Sequence, residues 1–256
     1  MESSLQLNAT PDVPKATRLS LHLLVKRHLP PEAESWDQEK ILQSLSRISH
    51  LRLDRENIRD IDSLELLGDS VTNVYLQQNI IERIENFECL KNLQFLTLAG
   101  NRIRKVENLS NSKLLFLDLS NNKIEEFDID EFPQSLIILN LKYNPCTKGG
   151  DYRGRIIQDL PCLRQLDEEE ITREEKLEAG FAVSSESSEE EELYGSPEDA
   201  LTKSADSIQM MACQVLQRSQ DRIESDMVEH KKRASELEDL RVNHDKVQIP
   251  STKLPH

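Results

Sequence analysis

The chain has 256 residues, 31% of them charged, and a formal net charge of −15. That length allows one or two domains. The acidity argues against a surface that tracks nucleic-acid phosphates, which needs clustered Lys and Arg.

The N-terminal stretch MESSLQLNATPDVPK has no charged-then-apolar secretory pattern, and no apolar run reaches transmembrane length. Residues 1–16 are therefore expected to be disordered, in a cytoplasmic protein without a membrane partner. TRLSLHLLVKRHL, from Thr17 to Leu29, has apolar residues at helical spacing behind Thr17 as N-cap, and Pro30 and Pro31 stop it. Lys26, Arg27 and His28 fall at the end of this helix, where positive charge is favoured. A second helical stretch around WDQEKILQSL offers Trp36, Ile41, Leu42 and Leu45 for packing. Together the two make residues 17–46 a predicted helical cap.

A repeat follows, with the pattern L-x-x-L-x-L-x-x-N-x-I. Copies begin at Ile48, Val71, Leu93, Leu114 and Leu136, at spacings of 23, 22, 21 and 22 residues. Each copy supplies one short strand: His50 to Leu53, Asn73 to Leu76, Phe95 to Leu98, Phe116 to Leu119 and Ile138 to Leu141. Alternation turns the leucine-type residues inward and the residues between them outward. One copy cannot bury its own apolar face, so the copies must stack into a parallel sheet with a shared core. The asparagine ends each strand and reaches backbone groups of the turn that would otherwise be buried without partners. Asn79, Asn101, Asn122 and Asn144 form a predicted ladder, with a weaker rung at Glu56. Ile58, Ile61, Leu64, Ile81, Ile84, Phe87, Ile103, Val106, Leu109, Ile124 and Phe127 point inward again on return paths too short for a long helix.

Residues 47–146 thus form five repeats of an α/β solenoid, with the parallel sheet on the concave face and loops or 3₁₀ turns on the convex face. The ends of such a sheet must be covered. NPCTKGGDYRGRIIQDLPCLRQLD, within 144–167, reads as a closing helix and makes 147–170 a C-terminal cap. Beyond it, 171–199 is acidic and serine-rich and is expected to be a disordered linker. Ser185, Ser187 and Ser188 are candidate phosphorylation sites within it. Residues 200–245 lack Pro and Gly and favour a solvated helix with an interrupted apolar stripe, a candidate coiled coil that pairs with a partner helix or with itself. Residues 246–256 read as disordered.

No P-loop, nucleophile elbow, zincin or dinucleotide pattern is present, so catalytic, cofactor and metal residues are all expected to be absent. Cys89, Cys146, Cys162 and Cys213 are widely spaced and read as reduced thiols. What remains is the outward face of the sheet. Its first column is His50, Asn73, Phe95, Phe116 and Ile138, and its second is Arg52, Tyr75, Thr97, Asp118 and Asn140. A third runs Asp54, Gln77, Ala99, Ser120 and Lys142. Three large apolar residues in consecutive repeats on a face that should be wet suggest a protein-binding surface. The candidate partner-binding residues are Tyr75, Phe95, Thr97, Phe116, Asp118, Ile138, Asn140 and Lys142. The alternatives are that the rings simply cover the sheet, or that the chain's own tail folds back over them.

The repeats resemble the short-repeat leucine-rich-repeat family, which includes phosphatase-1 regulators, an axonemal dynein light chain and many ciliary proteins. LRLDRENI (51–58), FLTLAGNRIRKVENL (95–109) and DEFPQSLIILNL (130–141) carry the likeness to its ciliary members. Asn144, Pro145, Tyr152, Arg153, Leu160, Pro161, Leu163, Leu166 and Asp167 match the cap that closes such proteins. The resemblance implies a non-enzymatic protein of cilia and the sperm flagellum, acting in axoneme assembly or stability, with a monomeric core and protein partners. A phosphatase-1 regulatory subunit and an acidic chaperone for basic proteins are the competing readings. The tail segment Lys246-Val247-Gln248-Ile249 lacks the aromatic residue expected of a phosphatase docking motif.

Overall fold

The computed structural model describes residues 16–181. The expectations for the N-terminal residues, the serine cluster and the segment 200–245 lie outside them. Strand β1 (Thr17–Arg18) comes first, then helices α1 (Leu21–His28) and α2 (Gln38–Leu45), with a 3₁₀ turn at Pro31–Ser35 between the helices. Six short parallel strands follow: β2 (His50–Arg52), β4 (Asn73–Tyr75), β5 (Phe95–Thr97), β6 (Phe116–Asp118), β7 (Ile138–Asn140) and β8 (Gln165–Leu166). An antiparallel β9 (Glu169–Glu170) ends the sheet, and β3 (Ile58–Asp60) lies apart, paired with β1. Helices α3 (Tyr152–Asp159) and α4 (Arg173–Glu178) close the far end. The strand register pairs equivalent repeat positions throughout, such as Asn73, Phe95, Phe116 and Ile138 across four strands.

The asparagine ladder explains why the strands are so short. Asn101 Oδ1 accepts from Ile81 N at 3.0 Å, while its amide donates to Leu76 O at 3.0 Å and Leu98 O at 2.9 Å. Asn122 makes the same set with Ile103 N, Leu98 O and Leu119 O, and Asn144 with Ile124 N, Leu119 O and Leu141 O. Each side chain therefore joins two successive coils through backbone groups that no strand partner serves. The first rung is not lost at Glu56. Asn79 Oδ1 accepts from both Glu56 N and Ile58 N, and the Glu56 carboxylate turns out to Arg27 of α1 at 2.8 Å. One residue before each rung the chain takes a positive φ, at Arg55, Gln78, Gly100, Asn121 and Tyr143. Gly100 does this without strain, and the others bear its cost.

A second row sits on the opposite turn of the coil. Ser63, Asn86 and Asn108 adopt left-handed backbone at φ 59, 65 and 63°. Asn86 Nδ2 donates to Ile61 O and Asn108 Nδ2 to Ile84 O, both at 2.7 Å. Between the two rows the return paths run through short 3₁₀ turns at Leu64–Leu66, Phe87–Cys89 and Ile129–Glu131. Their apolar residues join Leu51, Leu53, Val74, Leu76, Leu96, Leu98, Leu117, Leu119, Leu139 and Leu141 in one core. In the fourth return path Phe132 is the buried ring, and Phe127 stands half-buried across it at 5.5 Å. Phe127 thus packs against the core from its edge, and Phe132 fills the interior beside it.

Both ends depart from the sequence reading. Helix α1 begins at Leu21 instead of Thr17, because Ser20 caps it and the preceding backbone is used elsewhere. Thr17 N donates to Asn57 O at 2.8 Å and Leu19 N to Asp60 O at 3.0 Å. His28 also does more than place charge at a helix end. Its Nδ1 lies 3.2 Å from Leu24 O, and Arg52 N donates to its Nε2 at 2.8 Å. The imidazole therefore covers a backbone donor on the outer edge of β2. At the other end, part of the expected disordered linker is ordered. Thr172 and Glu175 form a capping box for α4. Arg153 binds Glu175 at 2.5 Å and reaches the carbonyls of Leu166 and Glu170. Asp167 accepts from Leu141 N at 2.7 Å and from the Tyr152 hydroxyl at 3.0 Å, which ties α3 to the last repeat strand.

Two outcomes are expected. Asn122→Ala orphans the buried Ile103 N–H and leaves Leu98 O and Leu119 O with only the amides of the neighbouring rungs, and should cost about 1–3 kcal/mol in urea unfolding, against about 0–0.5 kcal/mol for a surface change such as Lys123→Ala. His28→Leu should cost about 1–2 kcal/mol at pH 7.5 by orphaning Arg52 N–H. Burial, reinforced by Arg27, holds the His28 pKa below 6.5. The unfolded chain then binds more protons, and the His28 contribution falls as pH drops below 6.5. The wild-type advantage over His28→Leu should therefore shrink between pH 6.5 and 5.

Candidate functional site

The outward face is built by alternation on strands whose inward residues are fixed in the core. Its aromatic residues form a continuous file. The Arg52 guanidinium lies 5.3 Å from the Tyr75 ring centre, Tyr75 lies 5.3 Å from Phe95, and Phe95 stacks on Phe116 at 4.1 Å with an interplanar angle of 2°. Ile138 continues the first column on β7, and Gln165 continues it on β8. The second column is polar. Asp118 Oδ1 accepts from Ser120 N at 3.0 Å and Oδ2 lies 3.5 Å from Thr97 Oγ1, while Asn140 Oδ1 accepts from Lys142 N at 3.1 Å. Lys142 Nζ is paired with Glu168 at 2.8 Å.

The expectation of a wet apolar face is not met. Phe95, Phe116 and Ile138 are only 2%, 0% and 1% exposed, and Tyr75, Thr97, Asp118 and Asn140 are buried with them. Stacking accounts for part of this, since each ring covers the face of the next. Among the described residues the large apolar side chains that do stand in solvent are Tyr143, 70% exposed at one of the positive-φ turns beside Lys142, and Leu177 of α4. The structure thus places seven of the eight expected residues in a buried surface, with Lys142 half-exposed at its edge.

The electrostatics of that surface were not legible in the pattern. Burial pushes the Asp118 carboxyl up to about 6, opposed by the Ser120 hydrogen bonds. Among the described residues no Lys or Arg pairs with it. Gln77 Oε1 and Gln165 Oε1 are also buried, with no hydrogen-bond partner. Elsewhere, a groove of about 830 Å³ opens beside the second asparagine row, lined by Asn86, Phe87, Lys91, Asn108 and Lys113. Its two asparagine amides are already committed to backbone carbonyls, which marks it as a by-product of the turn. The recurring Ile/Val-x-Ser/Asn-Leu/Phe in IDSL, IENF and VENL was the available signal for that row. Among the described residues no group of His, Cys, Asp and Glu is arranged to hold a metal ion, and no helix is long and apolar enough to cross a membrane.

A leucine-rich-repeat family profile matches residues 38–192. The chain belongs to the leucine-rich-repeat family. This leucine-rich-repeat chain is 38% identical over 142 residues to a protein named dynein axonemal assembly factor 11 from Trypanosoma brucei brucei, a match covering 53% of the chain and 36% of that protein. It is 38% identical over 190 residues to leucine-rich repeat-containing protein 46 of Rattus norvegicus, covering 73% of the chain and 58% of the relative. The matched region spans between about a third and three fifths of the length of these two proteins. Among solved structures, a chain of the Drosophila melanogaster SNF/U2A' complex is 19% identical with a TM-score of 0.39, over 64% of this chain and 91% of that one.

Asp118→Asn separates charge from shape. A folded pKa of about 6, above the ordinary 3.8, means that the native state binds more protons between these values. Stability from Asp118 is therefore greatest in acid and is lost as pH rises through about 6. Asp118→Asn should raise stability by about 1–3 kcal/mol at pH 7.5 and by little at pH 4, read by thermal unfolding across that range.

Proposed function

We propose that this chain is a non-enzymatic scaffold that binds protein through the outward face of its sheet and serves in the assembly or stability of the axoneme in cilia and the sperm flagellum. One observation carries the binding part of this reading. An aromatic file of Tyr75, Phe95 and Phe116 crosses three strands on the side of the sheet away from the leucine core, and the polar column of Thr97, Asp118 and Asn140 runs beside it. The repeat needs none of these residues for stacking, since its core and ladder use the alternate positions and the asparagines. Large rings bordered by hydrogen-bonding groups are the composition of protein hot spots. The axonemal part rests on the names carried by the relatives, an axonemal assembly factor and leucine-rich repeat-containing protein 46.

The test is proximity labelling in ciliated cells with the full chain and with a Phe95→Leu/Phe116→Leu variant. Leucine keeps most of the apolar volume and removes the stacked rings, and circular dichroism checks that the variant folds. The expected result is enrichment of axonemal proteins by the wild type, and loss of part of that set in the variant. A labelled set without ciliary proteins would remove the axonemal assignment, and an identical set from a folded variant would remove the outward face.

A further inference from the structure

A groove of about 560 Å³ lies between the return paths of the third and fourth repeats and helix α3, lined by Arg104, Lys105, Phe127, Ile129 and Arg155. Its floor is apolar, since Phe127 and Ile129 are half-buried against the core. The Arg155 guanidinium lies 6.0 Å from the Phe127 ring centre. All three cations are exposed, and among the described residues none of them makes an ion pair. Arg102 and Lys123 extend the basic surface. Ile103 and Ile124 point into the core, so alternation turns Arg102, Arg104 and Lys123 outward, and Lys123 N donates to Ile103 O at 2.8 Å. Three carboxylates share the lining. Asp128 is committed to its own turn, accepting from Asp130 N at 3.2 Å, while Glu125 and Glu126 are exposed with no ion pair among the described residues. Five cations against three carboxylates make a local positive region on a chain of net charge −15.

The chain itself brings an acidic segment to this place. Helix α4 ends in a Schellman turn, in which Gly180 takes a φ of 88°. Gly180 N donates to Leu177 O and Phe181 N to Lys176 O, both at 3.0 Å, which fixes where the chain leaves the helix. That exit is beside the groove, because Arg155 also lines a second cleft together with Glu178 and Ala179 at the end of α4. The run SSESSEEEE begins three residues beyond Phe181 and ends eleven beyond it. Extended, those eleven residues reach about 36–40 Å. Single exposed ion pairs contribute little. Here arginine forks can hold carboxylates in bidentate pairs, and a tethered run meets them at an effective concentration on the order of millimolar.

We propose that residues 184–192 of this chain dock in the groove, with their glutamates paired to Arg104, Lys105 and Arg155. Glu125 and Glu126 repel the run from the fourth repeat and keep it to the side of Arg104 and Lys105. The groove lies on the return paths, so this occupancy is independent of binding at the outward face.

The test is zero-length carbodiimide coupling of the full chain at about 1 µM, in about 20 mM and about 500 mM NaCl. Monomer is isolated, and its lysine–glutamate links are mapped by mass spectrometry. Lys91 and Lys113, exposed lysines of the other groove, report non-specific attraction. Lys105 should couple to Glu186 and to the glutamates of 189–192 at least fivefold more often than Lys91 or Lys113 does. The higher salt should cut this coupling at least threefold. Arg104→Ser/Arg155→Ser keeps Lys105 and removes both guanidinium groups, and circular dichroism checks that it folds. In that variant the coupling of Lys105 should fall to within twofold of Lys91. Even coupling across the three lysines, none at Lys105, or a pattern that the double variant leaves unchanged would overturn the proposal. Links found only in covalent dimers would assign the groove to a second copy, and links to carboxylates beyond residue 193 would assign it to a later segment; either would overturn it.

Discussion

The structure depends on one constraint: a coil that turns every few residues buries backbone groups that no regular secondary structure can pair. Three-residue strands serve only a fraction of the N–H and C=O groups in each repeat. The asparagine rungs serve the next fraction, and because each spans two coils, they also lock the register between repeats. Everything around them follows from that duty. The strands stay short, the residue before each rung accepts a left-handed backbone, and the second row at Asn86 and Asn108 does the same work on the opposite turn.

With the coil held from within, the outward side chains are free of structural duty, and there the chain departs from ideal stability. A buried carboxyl without a cation and two buried amide oxygens without donors are features that a purely structural surface would lose. Their position beside stacked rings gives the face both an apolar and an electrostatic character. Recognition through such a face reads charge placement as well as shape.

The period of 21–23 residues, the strands and the ladder were legible because each is written as a recurring side-chain type at a fixed spacing. The closing stretch was matched only by its resemblance to a family cap, and of its residues Tyr152 and Asp167 share a hydrogen bond in the structure. What the sequence hid depends on three-dimensional neighbours. Thr17 reads as a helix cap, yet its N–H is taken by Asn57 O, a pairing across forty residues that local propensity cannot see. Glu175 lies in an acidic run that resembles a linker until Arg153 is placed beside it. Phe95 and Phe116 were assigned to the correct face, but alternation alone says nothing about how deeply that face is buried. His28 looked like one of three basic residues at a helix end, and only the edge of β2 shows its role as an acceptor.

The two ends of the solenoid are closed by unequal means. At the C-terminal end a bonded strand, a helix and the Asp167–Tyr152–Arg153–Glu175 network hold the last coil together. At the N-terminal end β1 pairs with β3, the helices bury Leu24 and Leu45 in the core, and the His28 imidazole takes the Arg52 N–H on the outer edge of β2. In an array where each coil touches only its neighbours, unequal ends give the chain a direction.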